Sequence, residues 1–357
     1  MIWDPSLKDA ERTFLGEDQL RHNEQRIYSQ LDTFLKHLQK KFNLKFDYKM
    51  VDNYDFYKWM SYLNFLTEVG KYMTVNTMIA KESVKKRITD PDKSISYAEF
   101  SYMLIQAYDF EYLFHNEGVK LQLGWSDQRG NVTTGIELIR KKHDKEAYAL
   151  TIPLITDATG KKFGKSEGNA IWLDHDKTSP YFVYQYFMNV ADQDIEQYLK
   201  ILTLLDFNQV ADIVKKHNEK PELRYGQKEL AKAVIEVIFD KDAVDQASKI
   251  SEVLFNDGDR MEIIKWFKKE DIDALMHEIG WSECRVQGAE CRGLDLFVQS
   301  GLTESNGETK KLLQSWSLYC NEVKVDDPQM IIKEDDFING VLLLRKGKKV
   351  FKIVKLG

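Results

Sequence analysis

Residues Val119-Lys-Leu-Gln-Leu-Gly124-Trp-Ser-Asp127-Gln128-Arg-Gly130-Asn131 decide the fold. A short alternating strand stops at a glycine, a polar turn follows, and a helix begins at Asn131 and continues to Lys142. Beyond it, Ala147-Tyr-Ala-Leu-Thr-Ile-Pro-Leu-Ile155 is apolar enough to read as a buried strand. Upstream, Ser96 opens another helix, with Glu99 placed three residues on as its capping-box partner. Strands alternating with helices imply a parallel sheet built from βαβ units, hence an α/β, Rossmann-type domain.

Working outward, residues 8–42 read as a charge-rich helix with Leu20, Ile27, Leu31, Phe34 and Leu35 at helical spacing. Residues 57–70 and 77–87 read as helices, the second closed by Pro91. From Ser179 to residue 255 amphipathic helical stretches dominate and strand signals vanish. The chain therefore divides into an α/β region over 1–178, an α-helical domain over 179–255 and a connector over 256–290. A small α+β domain over 291–357 has two short helices and then hairpin-like strands.

Composition narrows the function. Charged residues make up 30% of the chain and the net charge is −6, which excludes a generally basic nucleic-acid coat. Residues 341–357 nevertheless carry Arg345, Lys346, Lys348, Lys349, Lys352 and Lys355 with no acidic residue, a local phosphate-binding surface. The three cysteines, Cys284, Cys291 and Cys320, form no CxxC pair, which fits a reducing compartment and offers neither a disulfide framework nor a metal site. No apolar run reaches the roughly 20 residues of a membrane span, and no signal peptide opens the chain, so the cytoplasm is the expected location.

Three clusters carry chemistry. Tyr102, Gln106 and Asp109 share one helix face, where a phenol, an amide and a carboxylate could hold an ammonium group and a polar side chain; a solvated polar face has the same spacing. Gly124, Asp127 and Gln128 lie at the carboxyl end of a strand, where open α/β sheets bind ligands, although such turns are common. Lys162-Phe163-Gly164-Lys165-Ser166 sets two lysines three apart on a glycine-containing loop, able to follow a polyphosphate as its charge moves. It is not a Walker A loop, because GxxxxGK[ST] is absent.

In this order the motifs resemble bacterial-type tyrosyl-tRNA synthetases of class I. The likeness runs through Asp4-Pro-Ser, Ala80-Lys-Glu-Ser83, Gln106-Ala-Tyr-Asp109, Ser126-Asp-Gln128, Gly135–Arg140, Leu150–Leu154, Lys162–Ser166 (the KMSKS-type loop) and Ile171-Trp-Leu-Asp174. The resemblance implies ATP-dependent activation of L-tyrosine to tyrosyl-adenylate and its transfer to tRNA(Tyr). Asp109 would take the substrate phenol, while Tyr102, Gln106 and Asp4 would hold its ammonium group, with Gln128 nearby. Asp127 and the Gly124 backbone would face the ATP ribose, and Lys162 and Lys165 the pyrophosphate, with Mg2+ as counter-ion and no protein-bound metal. Phenylalanine would be rejected because Asp109 would be left buried without a partner, the hydroxyl-based selectivity for which this family is the standing example. The tail resembles an S4-type RNA-binding domain, with Lys310, Lys311, Arg345, Lys346, Lys348 and Lys349 toward tRNA, and the resemblance implies a homodimer.

Several features depart from the family. Met1 falls where the family is already at the end of a catalytic-domain strand, so the expected chain lacks its opening portion, on the order of 70–90 residues. None of the seven histidines stands in an HxGH signature, and the remaining sheet is expected to expose strand edges and apolar faces. The chain is accordingly expected to be inactive by itself, with a non-catalytic RNA-binding paralogue as the alternative; the tryptophanyl enzyme fits less well, because Asp109 suits a phenol. Trp3, Trp125 and Trp316 stand where the family has glycine, and Arg129 where it has tryptophan. Translation of reassigned codons with the wrong table would produce that pattern.

Overall fold

The computed structural model describes residues 15–90, 92, 94–156, 171–174, 177–255, 260–284, 291–315 and 317–357. Asp4, Trp3, the Lys162–Ser166 loop and Trp316 lie outside the described residues. The chain divides into two compact units, one of residues 1–39 and 43–170, the other of 40–42 and 171–357.

The first unit contains α1 (Glu17–Lys41), α2 (Tyr54–Tyr57), α3 (Tyr62–Glu68), α4 (Val75–Ile79), α5 (Glu82–Ile88), α6 (Tyr97–Glu117), β1 (Leu121–Trp125), α7 (Arg129–His143) and β2 (Tyr148–Ile152). The expected helix over 57–70 is shortened to α3, because α2 has already ended at Tyr57 and Ser61 starts α3 afresh by accepting a hydrogen bond from the Asn64 N–H. The stretch over 77–87 likewise divides into α4 and α5. The capping box at α6 is present in full. The Ser96 side chain accepts from the Glu99 N–H, and the Glu99 carboxylate accepts from the Ser96 N–H. The same carboxylate pairs with Arg87 at 2.8 Å and 3.0 Å, both side chains buried, which ties α5 to the first turn of α6. Gly118, in the left-handed region at φ 72°, ends the helix as its C-cap.

α6 and α7 pack face to face, because Gly135 lets the helices approach: a Cβ there would stand 3.0 Å from Phe110 Cδ1. Met103, Leu104, Ala107 and Tyr108 of α6 and Leu138 of α7 share a core with Val69, Met73, Met78 and Val84. β1 and β2 pair in parallel, Leu121 opposite Tyr148 through Trp125 opposite Ile152. The second strand was expected to be buried. Instead Tyr148, Leu150 and Ile152 are exposed, as are Leu121, Leu123 and Trp125, because among the described residues nothing covers that face of the two-stranded sheet. Parallel strands ordinarily lie between two covering layers.

The second unit begins with α8 (Pro180–Met188), α9 (Ile195–Leu202), α10 (Phe207–Glu219), α11 (Tyr225–Ile238) and α12 (Lys241–Phe255), a helical run as the periodicity predicts. α13 (Arg260–Lys265), α14 (Lys269–Ile279), β3 (Trp281–Cys284), β4 (Cys291–Arg292), α15 (Gly293–Gln299) and α16 (Asn306–Gln314) follow. β5 (Leu318–Cys320), β6 (Val323–Lys324), β7 (Ile331–Ile332), β8 (Val341–Lys346) and β9 (Val350–Leu356) complete the unit. Among the described residues β3-β9-β8-β5-β6 form one sheet, with β3 parallel to β9 and the other pairs antiparallel.

β8 opens on four successive buried apolar residues, and the two-residue period of a strand explains how all four are used. Val341 and Leu343 join Ile250, Val253, Ile264 and Leu275 on one face; Leu342 and Leu344 join Leu296, Phe297 and Leu313 on the other. Each such side chain contributes about 1.5–3 kcal/mol by leaving water. The β5–β6 turn places Asn321 and Glu322 at φ 47° and 65°, in the left-handed region that suits a tight hairpin. Asn321 is pinned there: its side chain accepts from the Leu343 N–H at 3.0 Å and donates to the Asp336 carbonyl at 2.6 Å. No helix among the described residues is long and apolar enough to cross a membrane.

Candidate functional site

On α6, spacings of four and three bring Tyr102, Gln106 and Asp109 to one side of the helix, all partly buried. Asp109 is the best defined. Its Oδ1 accepts a hydrogen bond from the Tyr57 hydroxyl at 2.7 Å, and its Oδ2 accepts one from the Asn53 side-chain amide at 3.0 Å. Burial pushes the Asp109 carboxyl above the usual aspartate range, and these two donors oppose that rise. The Tyr57 phenol also lies 2.7 Å from the Ile105 carbonyl oxygen. Burial first, and the Asp109 charge second, raise its pKa well above that of an ordinary tyrosine, so it remains a proton donor. Its ring stands edge-on to Tyr108, with centroids 5.3 Å apart.

Asp109 therefore has internal partners, which corrects the expectation that it would be orphaned by a ligand lacking a hydroxyl. Tyr57 and Asn53 are the neighbours of Asp109 that sequence reasoning missed. Each is more than 50 residues away along the chain, and no local period links them to α6.

At the end of β1, Gly124 is held close to the first turn that follows: a Cβ there would meet Gln128 Cβ at 3.2 Å. Gln128 accepts from the Asn131 side chain at 3.3 Å, which fixes its amide over the start of α7. Asp127 is partly buried, and its Oδ1 has no hydrogen-bond donor among the described residues. An unpartnered carboxylate oxygen out of water is costly, and a ligand hydroxyl would satisfy it. Trp125 is extended, at φ −75°, and 42% exposed, and Arg129 is exposed at the opening of α7.

In the second unit the basic residues differ in their engagement. Arg345 makes a two-pronged pair with Glu322 at 3.1 Å and 2.9 Å and lies 3.7 Å over the Tyr319 ring. Glu322 also accepts from Arg260 at 2.9 Å, so Arg345 is bound into a structural network. Lys346 pairs with Glu308 at 2.8 Å, which brings the end of β8 against the first turn of α16. Lys310, Lys311, Lys348 and Lys349 are exposed. Burial pushes the Cys320 thiol up to about 12, so it is a packing group rather than a nucleophile.

Residues 1–256 match the family of tRNA synthetases class I (W and Y), and residues 271–354 match the tyrosine–tRNA ligase SYY-like C-terminal domain. The tyrosine–tRNA ligase of Porphyromonas gingivalis is 42% identical over 358 residues, covering 99% of this chain and 83% of that protein. The tyrosine–tRNA ligase of Streptococcus suis is 40% identical over 356 residues, with 99% and 82% covered. The solved structure of a C-terminally truncated Aspergillus nidulans mitochondrial tyrosyl-tRNA synthetase matches with a TM-score of 0.60 at 28% identity, covering 71% of this chain and 73% of that one. The Coccidioides posadasii counterpart gives 0.57 at 28% identity, with 70% of each chain covered.

Proposed function

The chain belongs to the class I tyrosyl-tRNA synthetases, and on that premise we propose that Asp109 is its tyrosine-selecting group. The observation that carries this reading is the state of its carboxylate. Asp109 is partly buried on α6, and the two groups seen bonded to it, a phenol and an amide, are neutral, which leaves its charge for a ligand hydroxyl. Tyr102 and Gln106 on the same face would bind the α-ammonium group, with Asp4 and Gln128. The Asp127 Oδ1, without a donor among the described residues, supports a role for that side chain and the Gly124 backbone at the ATP ribose.

In the reaction, tyrosine's carboxylate attacks the α-phosphate of ATP and pyrophosphate leaves with its Mg2+ counter-ion. The adenylate then passes tyrosine to tRNA(Tyr). Phe163, Gly164 and Ser166 would shape the loop that presents Lys162 and Lys165 to the leaving pyrophosphate, so catalysis is positioning plus electrostatics. The 357 residues contain no HxGH pair, and we expect a polypeptide of these residues alone to bind tyrosine without catalysing normal pyrophosphate exchange. Calorimetry with tyrosine, run beside that exchange assay, tests both halves. Absence of tyrosine binding would favour a non-catalytic RNA-binding relative, and normal exchange would refute the inactivity.

Two further parts of the reading concern partners, in an enzyme expected to act in the cytoplasm. Tyr62 and Tyr97 are 60% and 64% exposed with their hydroxyls 3.0 Å apart, and Leu63 and Leu66 of α3 are exposed beside them in sequence. This apolar face supports a homodimer. The exposed Lys310, Lys311, Lys348 and Lys349 support tRNA binding by the S4-like domain, with Lys346 beside them and Arg345 holding the hairpin in shape. Replacing Lys310 and Lys311 together by alanine should weaken tRNA binding and flatten its dependence on log[salt] by about 1–2. Filter binding from low to physiological salt measures this, and an unchanged slope would remove these lysines from the interface.

A further inference from the structure

Tyr57 does more than fill space beside α6. It reaches from the four-residue helix α2 to the carboxylate on which tyrosine recognition is proposed to turn, and it presents the same chemical group as the substrate side chain, a phenol. Its single proton has two acceptors at equal distance, Asp109 Oδ1 and the Ile105 carbonyl oxygen, each at 2.7 Å. It can therefore release Asp109 to a ligand hydroxyl and keep a hydrogen bond to Ile105. Asn53 donates to the other carboxylate oxygen, and among the described residues its side chain has no second acceptor.

The geometry points to Tyr57 as an internal stand-in for the substrate phenol, a specificity-determining residue that caps Asp109 when the ligand brings no hydroxyl of its own. This rests on the proposed role of Asp109. A carboxylate has about four acceptor positions, so Tyr57, Asn53 and a ligand phenol can all be accommodated. When phenylalanine fills the site and excludes water, Asp109 retains its bonds from Tyr57 and Asn53. Without the Tyr57 hydroxyl it would retain only the bond from Asn53, and burying an under-paired charge is costly. Tyrosine supplies a replacement donor, and phenylalanine does not. The hydroxyl of Tyr57 thus softens discrimination while keeping the empty site ordered.

The test is a cycle of two proteins and two ligands: the 357-residue chain and its Tyr57→Phe variant, each titrated with tyrosine and with phenylalanine by calorimetry. The variant deletes one oxygen and keeps the ring against Tyr108. The ratio of tyrosine to phenylalanine affinity should rise roughly tenfold, chiefly through weaker phenylalanine binding. An unchanged ratio, in a protein that binds tyrosine and loses that binding on Asp109→Asn, would overturn the role of Tyr57 and leave the site reading intact. If the unsubstituted chain binds no tyrosine, or Asp109→Asn leaves binding unaltered, the site reading itself falls and takes this inference with it. A Tyr57→Phe chain that no longer melts cooperatively would assign the hydroxyl to the fold and overturn the proposal.

Discussion

Replacing Asp109 by alanine is expected to weaken tyrosine binding by roughly 10- to 150-fold, the worth of a hydrogen bond to a charged group. Phenylalanine binding should change far less, so the variant loses discrimination rather than general affinity for amino acids. Calorimetry on both ligands reads this directly. The variant would also leave Tyr57 and Asn53 donating to nothing at that point, but Tyr57 has the Ile105 carbonyl as a second acceptor and Asn53 is exposed, so neither donor should cost the fold much. A pH dependence accompanies the substitution. Burial raises the Asp109 pKa, so tyrosine affinity, if it requires the ionised carboxylate, should fall on acidification at a pH above the ordinary aspartate range. Asp109→Asn should remove that acid limb. Equal tyrosine affinity for the alanine variant and the parent chain would end the assignment.

Glu99→Ala is expected to cost about 3–5 kcal/mol of stability, the effect of breaking a buried ion pair from one side. Two losses coincide at this residue. Arg87, itself buried, keeps its charge with no carboxylate opposite, and the Ser96 N–H at the start of α6 loses its acceptor. α6 carries the Tyr102, Gln106 and Asp109 face, so fraying of its first turns should reach the site as well as the melting curve. Hydrogen bonds from Arg87 and then from the Ser96 backbone hold the Glu99 carboxyl below the usual glutamate range, although burial opposes them. The sign follows: with the folded pKa lowered, this stabilisation is fully present above the unfolded glutamate value and is lost as pH falls through the folded one. Denaturant unfolding of parent and variant at neutral and acidic pH should show the gap narrowing with acid. A gap below about 1 kcal/mol at neutral pH would mean the pair is a surface contact in energetic terms.

The sequence by itself determined whatever is encoded within a few residues. The capping box at Ser96 and Glu99 is a three-residue signal, and the structure forms both of its hydrogen bonds. The common face of Tyr102, Gln106 and Asp109 follows from helical spacing alone, and the glycine-led turn at 124–128 from strand, breaker and helix in succession. The helical run after Ser179 and the hairpin-like strands of the tail were legible for the same reason, since their periods and turn residues are local.

Tertiary structure alone decided which distant groups meet these elements. Tyr57 and Asn53 reach Asp109 from another helix and a preceding loop, and the pairing changes the expected basis of phenylalanine rejection from an orphaned carboxylate to a question of how many donors remain. Arg345 reads as one of six basic side chains in a tail free of acid, yet Glu322 and Tyr319 claim it within the sheet. The apolar stretch at 147–155 carries the composition of a buried strand, and composition cannot say whether a second layer lies over it; in the described residues Tyr148, Leu150 and Ile152 face outward. Periodicity specifies the faces a segment presents, whereas the partner of each face is chosen by packing across long chain separations, where a single charge or hydroxyl settles the outcome.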